Sequence, residues 1–219
     1  MTVRALFLGE GSSDLGLRFP IQALADSWGV PLTLTAPDLD RLGQGSAGGP
    51  LQQRLSRVKD LGGVYDVVFL HRDADNAGVE ARKGEIASAV AAVYDTSRTV
   101  PIVPIRMTEA WLLLDEEAIR QVSGNPRGRM ALDLPTPKEA ERIADPKAML
   151  REKLAIASGQ SGRRLLTVKK RFDQNRQQLL ERLDPGGSVQ QLVAWNSFVA
   201  DMRSACAVEA TAVDRVLDA

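Results

Sequence analysis

Val64-Tyr65-Asp66-Val67-Val68-Phe69-Leu70-His71-Arg72-Asp73-Ala74-Asp75 carries the strongest strand pattern in the chain. Val67, Val68, Phe69 and Leu70 form a continuous apolar run, and residues 64–70 read as a strand. A strand with no polar face must be covered on both sides, as in the middle of a parallel sheet. Directly after it come His71, Arg72, Asp73 and Asp75.

Toward the N-terminus, Val3–Leu8 is a second buried strand, ended by Gly9-Glu10-Gly11. Ser12, Ser13 and Asp14 can each cap a helix over residues 15–28, which Gly29 stops. Leu32–Thr35 reads as a strand. Residues 38–50 hold Gly43, Gly45, Gly48 and Gly49 and read as a surface loop. No G-K-[ST] follows that loop, so it is not a P-loop. Residues 51–61 have helical spacing, with Leu51, Leu55 and Val58 on one side.

Toward the C-terminus, residues 80–94 predict a helix and residues 100–105 a strand. Pro101 and Pro104 push that strand to an edge or a strand end. Residues 108–122 predict a further helix. Strand and helix thus alternate over residues 1–122, which predicts an α/β domain with a mostly parallel, Rossmann-like sheet flanked by helices. Residues 123–219 differ. Pro126, Pro135, Pro137 and Pro146 mark an irregular stretch, and Asp145-Pro146 starts helical sequence. Asp184-Pro185-Gly186-Gly187 breaks the last two helices. Leu192, Trp195, Val199 and Met202 form an apolar stripe. A helical C-terminal region packed on the sheet domain is expected.

Of the 219 residues, 44% are hydrophobic and 26% charged, enough apolar material for a core. Lys plus Arg and Asp plus Glu number 28 each, so the net charge is zero and a generally basic coat is excluded. Cys206 and His71 are the single cysteine and histidine. An intramolecular disulfide, a cysteine zinc site and a multi-histidine metal site are therefore excluded within one chain. Any metal must be held by oxygen, which favours Mg²⁺ or Mn²⁺. No apolar run approaches the roughly 20 residues of a membrane span. Met1-Thr2-Val3-Arg4 runs directly into a strand-like segment and lacks the shape of a signal peptide, so the expected location is cytoplasmic.

Ligands of open α/β sheets collect at the carboxyl ends of the strands. Glu10 follows the first strand, and Asp73 and Asp75 follow the central one. In extended backbone a D-x-D pair places both carboxylates on one side. Clustered carboxylates repel, and a divalent cation relieves the repulsion. The alternative is that these acids only cap helices. Glu109 fits either another metal ligand or a carboxylate stabilising a helix N-terminus. Asp14 fits an assistant to Glu10 or a cap. His71 fits a phosphate contact or a local hydrogen bond. Arg72 and Arg106 fit phosphate contacts or pairing with the acids themselves. Trp111, Leu112 and Leu114 read as core, Asp115 as an ordinary helix residue, and Cys206 as buried structure.

The strand ending in Gly9-Glu10-Gly11 and the later strand ending in His71-Arg72-Asp73-Ala74-Asp75 resemble the two signature motifs of the TOPRIM fold. Topoisomerases, bacterial primases, OLD-type nucleases and recombination proteins share that fold. The resemblance implies that Glu10 serves phosphoryl transfer as acid or base and that Asp73 and Asp75 bind Mg²⁺. Residues 105–115, with Glu109-Ala110-Trp111-Leu112-Leu113-Leu114-Asp115, resemble the E-x-W-L-L-x-D segment of a TOPRIM-related bacterial family akin to the OLD-type nucleases. Members of that family accompany P-loop ATPases. Tyr65 and Tyr94 are the only tyrosines and neither has a distinctive setting, so topoisomerase is a poor reading.

Residues 151–182 hold nine Lys and Arg against Glu152, Asp173 and Glu181, a local excess of six. Arg163, Arg164, Lys169 and Lys170 are candidate contacts for a nucleic-acid backbone. Phe172 is the only aromatic among these charges, so the aromatic platform typical of single-strand binders is missing. A solvated helical face is the alternative. The function that the resemblance implies is Mg²⁺-dependent phosphoryl transfer, as a nuclease in phage defence or DNA metabolism, with a P-loop ATPase partner. The alternative is a non-catalytic regulatory or binding subunit of an ATPase partner.

Overall fold

The computed structural model describes residues 2–37, 39, 49–94 and 98–217, with residues 207–217 described by backbone alone. Most of the glycine-rich segment 38–50 lies outside the described residues. Strands β1 (Val3–Leu8), β2 (Leu32–Thr35), β3 (Val67–His71) and β4 (Arg98–Ile102) form one sheet in the order β2-β1-β3-β4. All three pairings are parallel. Parallel neighbours need crossovers, and helices α1 (Arg18–Ser27), α2 (Leu51–Asp60) and α3 (Val79–Val93) supply them. The arrangement is an α/β, Rossmann-like sheet flanked by helices.

Every residue of β3 is buried, as a strand between two others and two helical layers requires. Its side chains alternate between two cores. Val67 and Phe69 join Ala5 and Phe7 of β1 on one face, beneath α1 and the C-terminal helices. Val68 and Leu70 join Leu6 and Leu8 on the other, beneath Leu55 of α2 and Ile86 of α3. Strand β4 is at an edge, where Pro101 is tolerated. It ends at Ile102, earlier than the expected 105, because Pro104 has no N–H to extend the ladder.

Two expected helices are broken in two. Residues 12–17 form a 3₁₀ turn and α1 begins only at Arg18, because Pro20 is accommodated only within a first helical turn. Residues 108–122 divide into α4 (Glu109–Leu112) and α5 (Glu116–Val122). Asp115, expected inside a helix, caps α5 instead by accepting from the Ala118 N–H at 2.9 Å.

Beyond residue 122 come α6 (Pro137–Ala140), α7 (Pro146–Ser158), α8 (Gly162–Lys170), α9 (Phe172–Glu181) and α10 (Val193–Leu217). Asp145 caps α7 through the Ala148 N–H at 2.8 Å. Helix α9 lies against the 3₁₀ turn. A Cβ on Gly16 would stand 2.6 Å from both the Gln177 carbonyl oxygen and the Leu180 Cβ, so only glycine permits this approach. Trp195 of α10 meets Trp111 of α4 edge to face, centroids 5.2 Å apart. One apolar cluster includes Phe7, Trp111, Leu180 and Trp195, so burial is continuous across residue 122. Among the described residues no helix is long and apolar enough to cross a membrane.

Candidate functional site

The site begins where β1 ends. A Cβ on Gly9 would stand 2.4 Å from the Asp14 Cβ, so the chain can turn tightly onto Asp14 only because residue 9 is glycine. The Asp14 Oδ2 then accepts from the Glu10 and Gly11 N–H groups at 2.8 and 3.0 Å. This carboxylate is buried and receives two further donors from distant sequence. His71 Nδ1, at the end of β3, lies 3.2 Å from Oδ2. A guanidinium nitrogen of Arg176, from α9, lies 2.5 Å from Oδ1.

Arg176 also donates to Glu109 Oε1 at 3.0 Å and to the Ser13 hydroxyl at 2.9 Å. Glu109 is only 2% exposed, and its second oxygen has no hydrogen-bond partner. Asp73 is fixed by the Thr108 N–H and hydroxyl, at 3.0 and 3.1 Å. Because the Thr108 hydroxyl donates to Asp73, it accepts from His71 Nε2, 2.6 Å away. His71 Nδ1 meanwhile faces a carboxylate, so both ring nitrogens carry protons. Burial alone would push the His71 pKa down. The charge of Asp14 and the hydrogen bonds to Asp14 and Asp73 outweigh it and raise the pKa to about 10. Burial would likewise raise the Asp14 pKa, but the charges of His71 and Arg176 and the Gly11 N–H hold it far below the usual range. Asp73 is also lowered: burial opposes the shift, and His71 and Arg176 drive it.

Above this network is a cleft of about 390 Å³. Glu10, Asp73, Asp75 and Glu109, the four acids singled out from sequence, all line it. Asp14 and Asp173 add two more carboxylates, against Lys147 and Arg176 as cations. The D-x-D pair does not continue as extended chain. Asp75 sits at φ 45°, a left-handed conformation that Asp tolerates better than most residues. Its backbone, rather than its carboxylate, is tied down: its N–H donates to the Arg106 carbonyl at 3.1 Å, and its carbonyl faces the Arg106 guanidinium at 3.5 Å.

Arg72 pairs with the acids, donating to Glu10 at 2.6 Å and to Glu85 at 2.7 Å. Arg163, Arg164, Lys169 and Lys170 lie on α8, not in the wall of the acidic cleft. Among the described residues, no group of three or more His, Cys, Asp or Glu is arranged to hold a metal ion. Asp73, Asp75 and Glu109 are neighbours in one cleft without forming a closed cage. The reason is visible in their partners: Thr108 holds one Asp73 oxygen and Arg176 one Glu109 oxygen.

Sequence reasoning counted Arg176 with a basic surface, whereas it is 6% exposed and joins Asp14 to Glu109. No local signal distinguishes it, because its partner Asp14 is 162 positions away. Compared with family models, curated proteins and solved structures, the chain matches none.

Proposed function

We propose that the acidic cleft is a Mg²⁺- or Mn²⁺-dependent phosphoryl-transfer site of TOPRIM type, in a nuclease. The observation that carries this reading is the buried Glu109 oxygen without a partner, in a cleft lined by six carboxylates and two cations. An unsatisfied acceptor among like charges is costly unless a cation completes it. The donors are all oxygen, which suits a hard cation. They do not suit a cation that needs a closed protein cage. They do suit Mg²⁺, which keeps most of its water and takes one or two carboxylates.

In this reading Asp75 and the outer oxygen of Asp73 would hold the cation, with Glu109 beside them. When bound, a divalent cation would supply positive charge to offset that of the phosphate oxygens. Glu10 is the proton acceptor: it lines the cleft, and Arg72 anchors it through Oε1. Lys147, on the cleft wall, attracts the phosphate. The buried His71–Asp14–Arg176 network holds the turn that carries Glu10, through the Glu10 and Gly11 N–H groups. Nucleic acid as substrate is supported by the cations of α8. A P-loop ATPase partner, and a place in phage defence or DNA metabolism, rest on the sequence resemblance of residues 105–115.

A non-catalytic regulatory role is the second reading. The ion pairs of Glu10 with Arg72 and of Glu109 with Arg176 favour it, since they neutralise part of the cluster without metal. Cleavage of labelled single- and double-stranded oligonucleotides in Mg²⁺ and Mn²⁺ separates the two. The nuclease reading predicts cleavage that Glu10→Gln lowers by about 10²–10⁴-fold, the usual contribution of a general base. Metal binding with no cleavage of any substrate would leave the regulatory role.

A further inference from the structure

A second cavity, of about 500 Å³, lies between α7 and α8. Leu154, Ala155, Ile156, Val168 and Phe172 give it apolar walls, and two cations, Arg151 and Lys169, line it against one carboxylate, Glu152, which pairs with Lys153 at 3.7 Å. The Arg151 guanidinium stands 4.4 Å from the centroid of the Phe172 ring. Lys147, which lines the acidic cleft, stands 5.9 Å from the same centroid. Arg151 from one cavity and Lys147 from the other thus stand at the same ring. None of the residues of α8 is buried, and Leu166 is 58% exposed. Residues 161–171 hold five cations and no carboxylate.

A cavity with one aromatic wall, Phe172, and two cations, Arg151 and Lys169, next to a helix that carries cations and no acid, matches a ligand with flat apolar groups strung on a negative backbone. In a duplex those groups are stacked inside and cannot enter a concave site. We infer that the α7–α8 cavity takes up an unpaired base of a single-stranded nucleic acid whose phosphates lie along α8. The inference rests on the nucleic-acid part of the proposed function and goes beyond it in naming the strand and the pocket. The size of the cavity falls within the roughly 300–1,000 Å³ of small-molecule sites. The bridge through Lys147 leads such a strand toward the acidic cleft.

The test is fluorescence anisotropy in EDTA, so that no metal contributes. The probes are a labelled oligothymidylate of about twelve nucleotides, the same strand with abasic residues, and a duplex of equal length. The oligothymidylate is expected to bind about tenfold more tightly than either. Ala155→Phe, at the half-buried wall of the cavity, fills it and erases the difference between thymidylate and abasic strands. Val168→Phe fills the same space from the exposed helix and serves where Ala155→Phe lowers the melting temperature. Lys169→Ala weakens both strands alike and lowers the salt slope by about 0.7. Equal binding of thymidylate and abasic strands would overturn the inference. So would tighter binding of the duplex. Cleavage without base-dependent binding would remove the pocket and leave the nuclease. Base-dependent binding without cleavage would do the reverse.

Discussion

Asp14 is the residue on which the site is assembled, since one carboxylate receives a loop, a strand end and a distant helix. Replacing it by alanine leaves Arg176 and His71 charged and buried without their main partner. Asp14→Ala should therefore cost about 3–5 kcal/mol in urea denaturation. The same network sets a pH dependence. His71 is raised from 6.5 to about 10 on folding, so its contribution is complete below about pH 6.5 and is lost as pH rises through 10. Asp14 and Asp73 are lowered from 3.8, so theirs is complete above that pH and is lost as pH falls. The urea midpoint of the metal-free protein should be highest at about pH 5–6.5, and His71→Gln should flatten its alkaline fall. At this scale the sequence was only partly legible. Glu10, Asp73, Asp75 and Glu109 stood out because strand ends are where ligands collect. Asp14 resembled a helix cap, and Arg176 resembled any surface arginine, because a buried ion pair between residues 14 and 176 exists only once the chain has folded.

Among the elements, α9 carries the long-range part of the site, and its seat depends on Gly16. A methyl group there meets the Gln177 carbonyl and Leu180, so Gly16→Ala should destabilise by roughly 1–3 kcal/mol and move Arg176 out of register with Asp14 and Glu109. Thermal denaturation, with the alkaline limb of the pH profile as a second readout, checks this. Trp195→Ala removes the contact between α10 and α4 and should cost about 3–5 kcal/mol. Lys170→Ala, on the fully unburied α8, should stay within about 0.5 kcal/mol of wild type. The strands and crossover helices were legible because apolar runs and period-3.6 stripes record burial directly. The breaks at Arg18 and Asp115 were less so. They arise from Pro20 and from a cap at Asp115, single residues inside otherwise helical patterns.

The whole molecule buries one face of its sheet under helices that come from both halves of the chain. A continuous core predicts one cooperative transition, with tryptophan fluorescence and far-ultraviolet circular dichroism melting together. Separate transitions would place a boundary where the structure has none. The architecture also brings the carboxyl ends of β1 and β3 side by side and lays α4 and α9 across them, which is how acids from four segments come to one cleft. The central claim is that this cleft holds a hard divalent cation. Calorimetric titration of Mn²⁺ into wild type and Asp75→Asn is the decisive measurement, because asparagine keeps the left-handed backbone at residue 75 and removes only the charge. Saturable binding by the wild type is expected, at least about tenfold weaker in the variant. Absence of binding by the wild type at millimolar Mn²⁺, or equal binding by both proteins, would contradict it.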